Sequence, residues 1–265
     1  MYFLPLWLSG IITVVVFCAF GITGLVLTRR WAPTLHHVSV SYNDIVGYYF
    51  SAITVLYGIT LGLLMIGDWS TLSETQQKVD SEASTLAAFY LDVSRYPEPY
   101  RGRLQNDLRR YTRQVIDVAW PEQKNGIIPR GNVANVAKLA NDLAAFEPNS
   151  EEEKILDRET FDRFDELAER RRSRLLGVAA GLSGALWALV YIGAVINIAV
   201  TWCFHLHNRR MHLWMTALFS SLLGLMIFLL SAMDHPYLGK MSVSLQPFQL
   251  VYDDLMKPGE SAPGN

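Results

Sequence analysis

Cysteine is nearly absent. The 265-residue chain has two, Cys18 and Cys203, both in or beside apolar runs. Two cysteines so placed exclude a disulfide framework and a paired-cysteine metal site. Net charge is also nearly absent, at −2 over the whole chain, which leaves no basic footprint for nucleic acid. No glycine-rich phosphate loop, metal-ligand spacing or nucleophile motif occurs. The sequence therefore does not read as an enzyme and asks for no cofactor or metal. The most telling absence is local. The runs Leu6–Leu27, Ile45–Gly67, Leu175–Val200 and Trp214–Met233 contain no Lys, Arg, Asp or Glu. Each is long enough to cross a bilayer, where about 20 apolar residues suffice and a central charge is costly. The first run lacks a basic leader and a small-residue cleavage site, so it reads as a span rather than a signal peptide.

What the runs lack is gathered between them. About three quarters of the charged residues fall between Asp68 and Arg172, a stretch patterned as helices. The sequence predicts an all-α membrane protein with four transmembrane helices and a helical extramembrane domain between the second and third. The expected divisions are a first helix pair over 1–67, the helical domain over 68–172, a second pair over 173–233 and a C-terminal motif and tail over 234–265. No Pro or Gly interrupts Trp69–Val93, where Leu72, Val79, Leu86 and Val93 recur every seven residues. That spacing predicts a coiled-coil-like continuation of the second span. Glu82 falls on the same stripe and needs a partner there. Its expected partner is Arg109, Arg110 or Arg113 on the next helix, which starts near Tyr100 and ends at Trp120-Pro121. A third helix carries Val133, Val136, Ala140 and Leu143 on one side. Ser150 and Glu153 fit a capping box that opens a fourth. With no breaker after it, that helix is expected to run on through Arg170–Arg174 into the third span.

Small residues mark the spans. Gly47, Ser51, Thr54, Gly58, Gly62 and Met65 recur at three- or four-residue steps in the second span. Gly177, Gly181, Gly184 and Ala188 follow the same habit in the third. Such a face either packs helices closely or lines a narrow pore, and one oligomer can use both. Close contact between the second and third spans is expected through Gly58, Gly62, Gly177 and Gly181. Asn197 reads as a polar tie between helices. The histidines His36, His37, His205 and His212 read as polar interfacial residues. After the fourth span, Pro236 ends the helix, Met241–Leu245 alternates as a brief extended piece, and Phe248–Met256 reads as a short helix.

Several of these residues resemble a known family. The run Asp234-His-Pro-Tyr-Leu-Gly239, then Val-Ser and Pro247-Phe248, resembles the closing motif of the bestrophin-like domain family, usually close to Leu-Asp-x-Pro-Phe-x-Gly. Met233 and Tyr237 replace the usual Leu and Phe. Glu82-Ala83, Tyr111 and Trp120-Pro121 resemble the family as well, with Ala119 where a Glu is usual. The likeness covers nearly the whole chain, and its motif residues are Glu82, Tyr111, Trp120, Asp234, Pro236 and Gly239. It implies distant similarity to bestrophins, oligomeric anion channels with four membrane segments and a helical cytosolic domain. No counterpart of the bestrophin calcium-binding acidic cluster is present, so calcium gating is not implied.

The resulting expectation is a pore-forming homo-oligomer in a lipid bilayer that passes small inorganic ions. The competing expectation is a non-conducting scaffold or sensor whose helical domain binds a protein. The location expected is the inner (plasma) membrane. Lys78, Arg158, Arg163, Arg170–Arg174 and Lys240 outnumber Arg29, Arg30, Arg209 and Arg210 near membrane ends, which favours a cytoplasmic helical domain.

Overall fold

The computed structural model describes residues 5–31, 40–129, 133–239 and 241–257. His36, His37, Lys240 and the tail from Pro258 lie outside them. Nine α-helices are described: α1 (Leu6–Trp31), α2 (Val40–Val93), α3 (Tyr100–Gln114), α4 (Trp120–Lys124), α5 (Val133–Ala144), α6 (Glu151–Leu176), α7 (Gly184–Trp202), α8 (Arg209–Met233) and α9 (Gln246–Val251). No strand occurs among the described residues, and four helices are long and apolar enough to cross a membrane. The fold is all-α, as the charge-free runs predict.

The chain divides into two compact units, one from residues 1–70, 181–234 and 239–241, the other from 71–180, 235–238 and 242–265. The first unit is built on close approaches at glycine. Gly10 on α1 abuts the Phe228 ring of α8, Gly21 faces Ser220, and Gly24 faces the Trp202 indole of α7. Gly224 on α8 receives Phe17 and the backbone of Val14, and Gly193 on α7 receives the Tyr57 ring of α2. Small residues let membrane helices approach until van der Waals contact replaces the missing hydrophobic drive. Tyr57, Leu61, Val190, Ala194, Ile198, Leu223, Ile227 and Leu230 form the core behind these contacts. Polar ties fix the register. Thr54 Oγ1 donates to Asn197 Oδ1 at 3.0 Å, Asn197 Nδ2 donates to Gly193 O at 2.8 Å, and Tyr57 Oη donates to Val190 O at 2.8 Å.

The second unit is a helical domain around one apolar core. Val79, Leu86 and Val93 of the seven-residue stripe are fully buried, joined by Leu104, Leu108 and Tyr111 of α3, by Val115 just after it and by Leu139 and Leu143 of α5. α6 opens as the sequence predicts. Ser150 Oγ accepts from Glu153 N at 3.1 Å, and Glu153 Oε2 accepts from Asn149 N at 2.7 Å. The Glu side chain thus reaches one residue further back than in the usual box. Ser150→Ala is expected to cost about 1 kcal/mol, measurable as faster amide exchange confined to the first turn of α6.

Two helix ends differ from expectation. The helix from Tyr100 does not stop at Trp120-Pro121. It passes through a π-helical stretch, Val115–Ala119, and continues to Lys124. A π turn shifts the hydrogen-bond register, and Pro121 sits in the first turn of α4, where its missing N–H costs little. α6 in turn does not run into the third span. It ends at Leu176, tightens through a 3-10 turn at Gly177–Ala179, and α7 begins at Gly184 under a Ser183 cap. Ser183 Oγ accepts from Leu186 N. The residues that read as a stripe of small side chains at Gly177, Gly181 and Gly184 are therefore split across this break.

Candidate functional site

The family-motif residues of the helical domain meet in one buried polar knot. Glu82 stands on the buried stripe of α2, fully enclosed. Its carboxylate accepts from Arg174 Nε at 2.6 Å, Arg174 Nη2 at 3.1 Å and Tyr111 Oη at 2.6 Å. The paired contacts from one guanidinium are the bidentate geometry for which arginine is suited. Arg174 is fully buried too. Its Nη1 donates to Gln123 Oε1 at 2.7 Å, its backbone carbonyl accepts from Tyr237 Oη at 3.2 Å, and its guanidinium lies over the Phe248 ring at 5.6 Å. Trp120 packs against Tyr237, ring centroids 5.7 Å apart, and against Phe248 at 6.4 Å. Five segments distant in sequence are tied at one point: α2, α3, α4, the end of α6 and the closing motif.

The electrostatics suit a structural tie. Burial works against the charge of Arg174, but the Glu82 carboxylate more than offsets it and holds the guanidinium above its ordinary pKa. Burial also pushes the Tyr111 phenol well above its usual range, and Glu82 beside it adds to the shift. Tyr237 moves upward for the same first reason. Both phenols thus stay protonated donors, and the knot holds one matched pair of charges. It presents no nucleophile, and among the described residues no group of His, Cys, Asp and Glu is placed to hold a metal.

The expected partners of Glu82 on α3 are engaged elsewhere. Arg109 donates to Met256 O at 2.7 Å and to Tyr90 Oη at 2.7 Å, Arg113 donates to Tyr252 Oη at 2.5 Å, and Arg110 lies 3.9 Å from Asp107. The reason is helical phase. α3 turns Leu104, Leu108 and Tyr111 inward, so Tyr111 reaches Glu82 and the arginines point away. Arg174 looked like one member of a membrane-flanking basic cluster. Its signal was spacing, because Thr160, Leu167 and Arg174 recur every seven residues and all three are buried.

The remaining motif residues shape the turn after α8. Asp234 Oδ1 accepts from Leu182 N at 2.5 Å and Oδ2 from Trp187 Nε1 at 3.1 Å, holding the entry to α7. Pro236 O accepts from Val243 N at 2.8 Å. Gly239 has φ +80°, a left-handed conformation that a side chain would strain. The Met241–Leu245 stretch is non-helical, and α9 continues through a π-helical turn to Met256.

The small-residue stripe of α2 divides. Thr54 and Met65 lie on its inner edge, Thr54 bonded to Asn197 and Met65 packed on the core of the first unit. Ser51, Gly58 and Gly62 are exposed, and a Cβ on Gly47, Gly58, Gly62 or Gly184 would meet nothing within 4 Å. The expected contact of the second and third spans through Gly58, Gly62, Gly177 and Gly181 is therefore not made within the chain. Gly193 makes that approach instead, Gly177 packs on Thr75 and Tyr237, and Gly181 is exposed. The rings of Tyr57 and Trp202 need a gap opposite them, and only the glycines facing those rings provide it. His212 also departs from expectation. It is buried, with Nε2 2.9 Å from Thr201 O and Nδ1 2.9 Å from Arg29 Nη2.

No curated protein matches the chain. Among solved structures, a substituted form of the bacterial bestrophin homolog from Klebsiella pneumoniae aligns with TM-score 0.66 at 13% identity, covering 92% of this chain and 98% of that one. A Zn-phased crystal structure of the homolog from the same organism aligns with TM-score 0.64 at 12% identity, covering 92% and 97%. At that identity the likeness speaks for the fold. The Bestrophin-like domain model matches residues 15–248, the span that contains Glu82, Tyr111, Trp120, Arg174, Asp234 and Phe248, and this chain belongs to the Bestrophin-like domain family.

Proposed function

We propose that the protein is a homo-oligomeric membrane channel whose pore passes small inorganic ions and takes its lining from the uncovered face of α2. The observation that carries this reading is how little of α2 the chain itself covers. Only 11% of its most apolar window is buried, against 17% for the third span, 28% for α1 and 33% for α8. The uncovered face carries Ser51, Gly58 and Gly62 amid Val55, Ile59 and Ile66. Lipid tails alone do not call for such a notch, whereas a neighbouring helix or a narrow ion path does. In this reading the helical domain lies on the cytoplasmic side of the inner (plasma) membrane, and the Glu82–Arg174 knot holds it rigid without touching the ion.

Purified protein reconstituted in liposomes should release a trapped ion faster than protein-free vesicles. Gly58→Leu should leave the chain folded, because a Cβ at that position meets nothing within 4 Å. It should change both the flux and the oligomer band on native gels, and do so more than Leu56→Ala. Intact oligomers without flux would favour a scaffold, and unchanged oligomers and flux in Gly58→Leu would remove α2 from the pore.

A further inference from the structure

The first unit holds an open cavity of about 480 Å³ beside the loop joining α7 to α8, within the size range of small-molecule sites. Its wall is aromatic and aliphatic. Phe50 meets Phe204 edge-on at 5.6 Å and Phe219 at 5.1 Å, and Met215 and Leu218 complete the apolar side. Trp214, on the same turn of α8, is 71% exposed. An outward Trp at a helix end marks the level of the membrane interface.

One arginine reaches two residues of the cavity wall. Arg29 Nη2 donates to Leu206 O at 3.0 Å and to His212 Nδ1 at 2.9 Å, and both residues line the cavity. Nε2 of His212 faces the Thr201 carbonyl, which can only accept, so that nitrogen carries the hydrogen and Nδ1 receives the guanidinium. Arg209 and Arg210 open α8, both exposed. Among the described residues none of the three arginines has a carboxylate partner. Asn43 braces the loop from α2, donating to His205 O at 2.6 Å and accepting from His205 N at 2.8 Å.

An apolar cavity at the interface, open at its mouth, with Arg29 bonded to two of its lining residues and Arg209 and Arg210 at the start of α8, matches one ligand chemistry. We propose that the cavity holds one acyl chain of an anionic phospholipid, with the lipid phosphate bound by Arg29, Arg209 and Arg210. Charge complementarity selects the headgroup, since arginine binds phosphate with two parallel hydrogen bonds, and basic pockets between membrane helices bind anionic lipids. The apolar wall selects the chain. The site does not depend on whether the protein conducts ions.

The test uses the full-length protein in nanodiscs containing equal amounts of phosphatidylglycerol and phosphatidylcholine with identical acyl chains. Lipid retained on transfer to detergent is read by mass spectrometry. The wild type should retain phosphatidylglycerol several-fold over phosphatidylcholine. The triple variant R29Q/R209Q/R210Q should lose that preference. Met215→Trp, at an exposed position that narrows the cavity, should retain less of both lipids. Equal retention of the two lipids by the wild type, as a second protein copy filling the cavity would give, overturns the proposal. So does a preference that survives loss of the three arginines, or undiminished retention in Met215→Trp.

Discussion

Glu82→Ala is expected to lower the stability of the helical domain by about 3–5 kcal/mol, the usual cost of stranding a buried charge. The substitution leaves the Arg174 guanidinium enclosed, with Gln123 as its one remaining side-chain acceptor, and strips Tyr111 Oη of its acceptor. Arg174→Met should cost a similar amount, by leaving the carboxylate with Tyr111 alone. The double variant Glu82→Met with Arg174→Met should recover most of the loss, because replacing both charges removes the desolvation penalty with the pair. Thermal unfolding of the four proteins in one detergent measures this. If the double variant is as unstable as the sum of the singles, the knot is not an isolated ion pair and Glu82 acts on more than Arg174.

Gly24→Ala is the second large effect expected, this time in the first unit. The new methyl would fall on the six-membered ring of the Trp202 indole. That ring is rigid and is held in place by Trp202 Nε1 donating to Gly21 O at 3.0 Å. The indole must swing away, break that bond and disturb its tilted contact with Phe20 at 5.5 Å. Overpacking of this kind costs about 1–3 kcal/mol, and the lost hydrogen bond adds about 1 kcal/mol. A reduced melting temperature together with a shifted tryptophan emission would show it. Gly47→Ala, in open space on α2, serves as the control and should move neither.

Fold class was legible because a bilayer leaves so strong a mark. Four charge-free runs and a seven-residue stripe are enough to write an all-helical membrane protein. Glu82 was legible as a buried carboxylate because Val79, Ala83 and Leu86 surround it in the pattern. Its partner was not, because a sequence shows the phase of each helix but not which helices meet. Arg174 hid within Arg170–Arg174, where the cluster reads as membrane flanking and only the spacing from Leu167 sets one residue apart. The glycine contacts within the chain were not legible for a related reason. A GxxxG pattern such as Gly58–Gly62 announces a notch, but whether a neighbour fills it depends on where the bulky rings lie. Tyr57 and Trp202 direct the close approaches to Gly193 and Gly24 instead.

The knot also sets an order of events during synthesis. Tyr111 follows Glu82 by 29 residues and Arg174 by 92. At about 5–20 residues per second, Arg174 leaves the ribosome roughly 5–20 seconds after Glu82. Until then Glu82 lacks its guanidinium partner, and closing the stripe of α2 on α3 would leave the carboxylate buried with Tyr111 alone. Tyr237 and Phe248 come later still, yet both belong to the same core. The helical domain therefore completes only after the last membrane helix has been made, and a nascent chain arrested between α6 and α9 exposes apolar surface to chaperones and proteases.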